Sequence, residues 1–135
     1  MPLSGHCLCQ AVTYTANAKP DTVAYCHCDD CQRQSGSTYS LYVMVSPDQL
    51  SVDGPLKTFQ RTGSSGSPVL QKFCQICGCP LFIQALSAEN ELAIMGGSLD
   101  CVHKLLLQPS IEIWTASKLP FCQERLRSSH AKDAE

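Results

Sequence analysis

The sequence predicts a mainly β protein built of short strands, and three observations carry that prediction. Residues 11–16, 22–25 and 38–45 are rich in β-branched and aromatic side chains, and the first of these runs alternates polar with apolar. No stretch of about 12 residues repeats its apolar positions at helical spacing. Turn-forming residues interrupt the chain repeatedly, at 17–21, 53–55, 62–68 and 96–97.

The elements follow in order. Residues 11–16 form a first strand, ended by the segment 17–21 with Pro20. A second strand over 22–25 runs into the cluster Cys26-His27-Cys28-Asp29-Asp30-Cys31, where Asp29 and Asp30 suit a turn. Residues 32–36 leave this cluster as a loop, and 38–45 is the longest β-like run. Ser46-Pro47 reads as an N-cap and first helical position, but Val52-Asp53-Gly54-Pro55 follows too soon for more than one turn. Strands are expected at 56–60, 69–73, 81–86, 91–95 and 111–115, with a Gly/Ser-rich loop at 62–68 that could close over a ligand.

With 135 residues, 44% of them hydrophobic, the chain is expected to form one domain with its own core rather than to fold only around metal. That domain is read as residues 1–124, and residues 125–135 as a polar, flexible C-terminal tail. A net charge of −2 and a pI near 6.0 offer no basic field for nucleic acid. The apolar runs are too short to span a membrane, and residues 1–5 have neither a basic region nor an apolar signal core. A cytoplasmic protein is therefore expected. The sequence carries no signal for its oligomeric state.

Ten cysteines without a secretory signal point to metal before disulfides. Cysteines two or three apart pair poorly with each other because the bridge is strained. Cys26 and Cys28, one residue apart in extended backbone, direct both sulfurs to one face, and the turn brings Cys31 back to them. His27 then points to the other face. Three thiolates can hold one face of a zinc ion and leave its fourth tetrahedral position to an exchangeable ligand. Cys74-x2-Cys77-Gly78 has the form of a zinc knuckle, whose Gly accepts the positive φ that follows the second ligand. With Cys7-x-Cys9 it makes a closed four-cysteine site tying the N-terminus to the middle of the chain. Cys79 could compete as a ligand, but the spacing and Gly78 favour Cys77. Cys101 and Cys122 stand alone without an assigned role.

Four motifs together, Gly5-x-Cys7-x-Cys9, Cys26-His27-Cys28-x2-Cys31-x4-Gly36, Phe73-Cys74-x2-Cys77-Gly78-x2-Leu81 and Gly97-x-Leu99-Asp100, resemble the glutathione-dependent formaldehyde-activating enzyme family. Pro109-x2-Glu112-Ile113-Trp114 and Lys118-Leu119-Pro120-Phe121 are similar to that family's closing segment, so the resemblance spans residues 4–121. It implies a β-rich, tent-like fold with two zincs. One would be structural on Cys7, Cys9, Cys74 and Cys77, and one catalytic on Cys26, Cys28 and Cys31. The implied reaction is synthesis of S-(hydroxymethyl)glutathione, formally that of a carbon–sulfur lyase. Two positions depart from the family pattern: Cys79 stands where a small hydroxyl residue is more usual, and Phe121 where Trp is common.

Thiol chemistry suits such a site, because a coordinated thiol is deprotonated at neutral pH and the thiolate is the nucleophile. Three protein thiolates on Zn²⁺ leave a net charge of −1, which favours presenting a thiol over activating water. Arg33, Arg61 and Lys72 are candidates for the carboxylates of glutathione, each weighed against a solvated surface role. His103 is too far along the chain to place. Three readings are compatible with this sequence. They are a lyase acting on glutathione adducts of formaldehyde or a related aldehyde, a non-catalytic thiol-binding zinc protein, and a zinc-ribbon interaction module.

Overall fold

Two sheets share one core in the computed structural model, which describes residues 2–20, 22–122 and 126–133. The smaller sheet has three antiparallel strands in the order β1 (Leu3–His6), β2 (Thr13–Ala16) and β5 (Leu50–Asp53). The larger sheet also takes in β3 (Thr22–Cys26), β4 (Ser40–Val45), β6 (Leu56–Thr62), β7 (Pro68–Cys74) and β8 (Pro80–Ala85). It is completed by β9 (Leu92–Met95), β10 (Ile111–Ile113) and β11 (Ser128–Ser129), and its order is β11-β10-β3-β4-β9-β8-β7-β6. The mainly β class expected from the sequence is the class observed.

Period-two alternation explains why this larger sheet carries two apolar clusters. Leu41, Val43 and Val45 of β4 face the core that includes Tyr14 and Ala16 of the small sheet together with Phe82 and Ile94. Tyr42 and Met44 face the opposite way, toward Cys26, Cys28, Cys31, Ile83, Ala93 and Met95. Strand β9 is buried at all four positions because it lies between β4 and β8 with a core on each face. The edge-on packing of Tyr14 against Phe82, with centroids 5.0 Å apart, ties the two sheets together.

Several local elements differ from the sequence reading, each for an identifiable reason. Residues 29–35 form a helix, α1 (Asp29–Ser35), rather than a turn and a loop. Cys28 caps it by accepting the Cys31 N–H on its sulfur, Asp29 and Asp30 sit in the first turn where the helix dipole favours anions, and Gly36 ends it at φ 68. Seven residues are too few to show a helical period, and cysteine is not an ordinary cap. Strands β1 and β5 and a single helical turn, α2 (Cys101–Lys104), were not anticipated. The single turn expected after Ser46 is present as a 3-10 turn over Pro47–Gln49.

The C-terminal segment, read from the sequence as a flexible tail over 125–135, is described in part. Over its described part, 126–133, it returns to the large sheet. Ser128 and Ser129 pair in parallel with Ile111 and Glu112, and Trp114 N–H donates to the Lys132 carbonyl at 2.8 Å. Arg125, Ala134 and Glu135 lie outside the described residues.

Candidate metal centres

The first centre forms where the end of β1 meets the end of β7. Cys7 and Cys9 leave β1 in a tight turn closed by Cys7 N–H on the Val12 carbonyl and Gln10 N–H on the Cys7 carbonyl. Cys74 ends β7 and begins the knuckle, in which Gly78 N–H reaches the Cys74 carbonyl at 2.9 Å and Gly78 takes φ 75. The four sulfurs of Cys7, Cys9, Cys74 and Cys77 lie within 4.8 Å of one another. Cys7 and Cys9 sulfurs are 3.6 Å apart, and those of Cys9 and Cys74 are 3.8 Å apart. Four sulfurs held at about 2.3 Å around one zinc stand about 3.8 Å apart at tetrahedral angles, whereas a disulfide requires about 2.05 Å. The spacing fits a tetrahedral metal.

Backbone donors support the same reading of these sulfurs. Val12 N–H points at Cys7 Sγ (3.3 Å), and Ile76 and Cys77 N–H groups point at Cys74 Sγ (3.3 and 3.4 Å). Backbone hydrogen bonds from Cys79 and Cys9 hold the Cys77 thiol down to about 6. Cys79 itself stays outside the four-sulfur group. It contributes its carbonyl to Cys74 N–H at 3.0 Å, and burial pushes its own thiol up.

The second centre gathers Cys26 from the end of β3, Cys28 from the cap of α1 and Cys31 from its first turn, all three buried. Each sulfur has a hydrogen-bond partner. Cys28 N–H serves Cys26, Cys31 N–H serves Cys28 at 3.2 Å, and Tyr42 Oη lies 2.9 Å from Cys31 Sγ. Crowding separates their acidities. Hydrogen bonds from Cys26 and Cys31 hold Cys28 down to about 2, while Cys28, Cys31 and burial drive Cys26 far above its ordinary value. Three buried thiols in an apolar cluster do not all ionise on their own. A divalent cation among them would remove that obstacle. Among the described residues no fourth His, Cys, Asp or Glu joins the three.

His27 faces away from the sulfurs, as the strand geometry requires. It is buried against Tyr39, with Nε2 3.6 Å from Glu112 Oε1 and both ring nitrogens lacking a hydrogen bond. Glu112 is fully buried and accepts Lys118 Nζ at 2.8 Å and Leu126 N–H. Burial pushes its carboxyl up, but those two donors outweigh burial and hold it below its ordinary value. His103 sits on α2 with Nε2 3.2 Å from Ser4 Oγ, in a network with Asp100 and apart from both cysteine groups.

The basic candidates separate. Arg33 is exposed and pairs with Asp29 one turn away, and Arg61 reaches Asp30 at 3.4 Å and donates to Gln71. Lys72 lies on β7 beside a small cavity with Gln34 and Gln71. Cys101 is exposed and Cys122 half-buried, and neither joins a cysteine group.

Residues that the sequence reading missed are Tyr42, Ser64 and Asp30. Ser64, in the Gly/Ser-rich loop, hydrogen-bonds Cys28 and Asp30, so that loop touches the three-cysteine centre directly. Tyr42 carried a latent signal, since period two puts it on the face of Ser40, but the sequence did not say that β4 pairs with β3. A groove of about 560 Å³ has Cys7 of the four-cysteine centre, Cys79, His6, Tyr39 and Lys104 in its walls, and it meets the surroundings of the three-cysteine centre at Ser40 and Met95. Ser40 Oγ donates to the Cys31 carbonyl at 3.0 Å, and Met95 packs with the three cysteines.

The family model for the glutathione-dependent formaldehyde-activating enzyme matches residues 2–117. A structural-genomics crystal structure of a Rhodobacter sphaeroides protein is similar in fold, with a TM-score of 0.59 and 22% sequence identity over 78% of this chain and 97% of that one. No curated protein gives a significant match. No helix among the described residues is long and apolar enough to cross a membrane.

Proposed function

The chain belongs to the glutathione-dependent formaldehyde-activating enzyme family, and on that premise we propose that it is a two-zinc protein joining glutathione to formaldehyde or a related small aldehyde. Cys7, Cys9, Cys74 and Cys77 would hold the structural ion, and Cys26, Cys28 and Cys31 the ion at the reacting site. The observation that carries this reading is the contrast between the two centres. One offers four sulfurs and the other three, with no further ligating side chain among the described residues. A protein-closed site and a site open to one outside ligand are the structural and catalytic forms of zinc.

Zinc bound by the three cysteines would supply acidity to a fourth, incoming thiol. The chain's own residues do the rest. Tyr42, Ile83, Ala93 and Met95 wall the sulfurs with apolar surface and limit water. The hydrogen bonds from Cys28 N–H, Cys31 N–H and Tyr42 fix where the three sulfurs point. The adjoining groove offers room for the peptide part of the thiol. In the reaction, the thiol loses its proton on binding and its sulfur lone pair forms the C–S bond to the carbonyl carbon. The C=O π pair moves to oxygen, which takes up one proton from water, so the product is the hydroxymethyl thioether and no redox partner is needed. The reverse sequence is the lyase direction. On this reading the protein works in a reducing compartment, the cytoplasm, where its cysteines and glutathione stay as thiols.

Calorimetry in buffers of different ionisation enthalpy tests the reading. Glutathione binding is expected to release close to one proton per chain at pH 7, and S-methylglutathione, which keeps the peptide but offers only a thioether, is expected to bind much more weakly. Equal binding of the two, unchanged in Cys31→Ser, would remove the sulfur–metal contact on which the mechanism depends. Proton release without any acceleration over uncatalysed thiol addition would leave a thiol-binding protein rather than an enzyme.

A further inference from the structure

We propose that Tyr42 is a positioning residue of the three-cysteine centre, whose hydroxyl donates to Cys31 Sγ and draws off part of the charge that this sulfur would place on a bound metal. The inference rests on the reading of that centre as a thiol-presenting metal site. Its basis is the 2.9 Å contact between two buried groups on different elements, Tyr42 on β4 and Cys31 on α1.

The direction of donation follows from the chemistry. A ligating cysteine has no proton, so the phenol is the group that can donate. A phenol keeps its proton at neutral pH. A hydrogen bond from a neutral donor to an anionic acceptor is the stronger, charge-assisted kind.

The three sulfurs differ in where their donors come from. Cys26 and Cys28 receive backbone N–H groups within the cluster itself, of Cys28 and Cys31, and Cys28 also has the Ser64 side chain of the Gly/Ser-rich loop. No side-chain substitution removes the backbone donors. Cys31 receives its donor from a buried side chain on a neighbouring strand. Tyr42 is thus a point inside the sheet at which the sequence can adjust the charge of the cluster. Three thiolates on a divalent ion leave −1, and a fourth thiol that gives up its proton makes this −2 inside an apolar wall. Each donor to sulfur offsets part of that charge, and the acidity of the incoming thiol depends on it.

The test replaces zinc by cobalt(II) and compares Tyr42→Phe with the parent chain. With no thiol added, the sulfur-to-cobalt charge-transfer band is expected to move to lower energy in Tyr42→Phe, because Cys31 becomes more electron-rich. Site-specific 3-fluorotyrosine at position 42, a stronger donor, is expected to move the band the opposite way, and this arm stands if Tyr42→Phe fails to fold. Glutathione binding at pH 7 is expected to weaken about tenfold in Tyr42→Phe, with the pH midpoint of thiol binding raised by about one unit. An unmoved band in both position-42 variants, or a shift in the same direction in both, would overturn the proposal. If the band moves but no protein responds to glutathione, the thiol-presenting reading fails while the Tyr42 contact stands.

Discussion

Lys118 Nζ lies 2.8 Å from Glu112 Oε1, and the carboxylate they share stands 3.6 Å from the ring of His27, between two ligand cysteines. A charged pair from the C-terminal third therefore underlies the three-cysteine loop from the side opposite its sulfurs. Glu112 is inaccessible to solvent, and Lys118 is mostly covered.

Removing one member of a buried pair leaves the other charge uncompensated, at about 3–5 kcal/mol. Glu112→Gln is expected to lose stability on that scale in denaturant unfolding. Lys118→Met together with Glu112→Gln is expected to lose less than the sum of the singles, because the double variant buries no lone charge. Additive losses would show that the pair does not couple.

The same carboxylate has a pH signature. Its folded value lies below its unfolded one, so the unfolded chain takes up the proton first as pH falls. The stability contributed by Glu112 is complete above the unfolded carboxylate value of about 4.3 and is lost as pH drops through the folded value. Melting temperature is expected to decline below about pH 4.5, less steeply in Glu112→Gln. An identical acid limb in the variant would assign the decline to other groups.

The two centres are expected to release metal unequally. Three protein sulfurs and an exchangeable fourth ligand give up zinc to a chelator before a closed set of four. Titration with a chromogenic chelator should show two zincs per chain in two phases, the first without loss of far-ultraviolet dichroism. One zinc per chain, or two released together on unfolding, contradicts the assignment.

Substitutions should rank the centres in the same way. Cys74→Ser and Cys77→Ser break a site whose metal binding, on the scale of about 10 kcal/mol in small zinc domains, is folding free energy, and these proteins are expected to unfold or aggregate. Cys28→Ser is expected to lose the labile zinc and keep most of the sheet, because β3, β4 and β9 pair through a full ladder beside it. Thermal melts in the opposite order would reverse the structural and catalytic roles.

The groove makes a separate prediction about the peptide part of the thiol. Arg33 and Arg61 are engaged by Asp29 and Asp30, whereas Lys104 Nζ donates among the described residues to the Gly97 carbonyl at 3.1 Å beside the groove and has no carboxylate partner among them, which leaves its charge available to a carboxylate. Lys104→Met is expected to weaken glutathione binding about three- to tenfold, on the scale of one ordinary hydrogen bond. Binding of 2-mercaptoethanol, which has no carboxylate, should be unchanged. An equal loss for both thiols would exclude a direct contact.

The sequence by itself determined the β class and the two cysteine groups, because both are local properties. Alternation records which face of a strand is buried, as in Tyr14 and Ala16 of β2. The spacing of Cys26, Cys28 and Cys31, or of Cys74 and Cys77, bounds how far apart their sulfurs can lie. The orientation of His27 away from its flanking cysteines was legible for the same reason. What joins distant segments was decided by tertiary structure. Tyr42 reaches Cys31 only because β4 pairs with β3, placing Tyr42 opposite Ala24. Glu112 meets His27 only because β10 adds in parallel to the other edge of β3, with Ile113 opposite Cys26. Ser64 reaches Cys28 only because the β6–β7 hairpin brings Arg61 and Ser64 to Asp30 in the first turn of α1. Strand pairing over such separations is selected by the burial of the whole core, and no short window of residues encodes it.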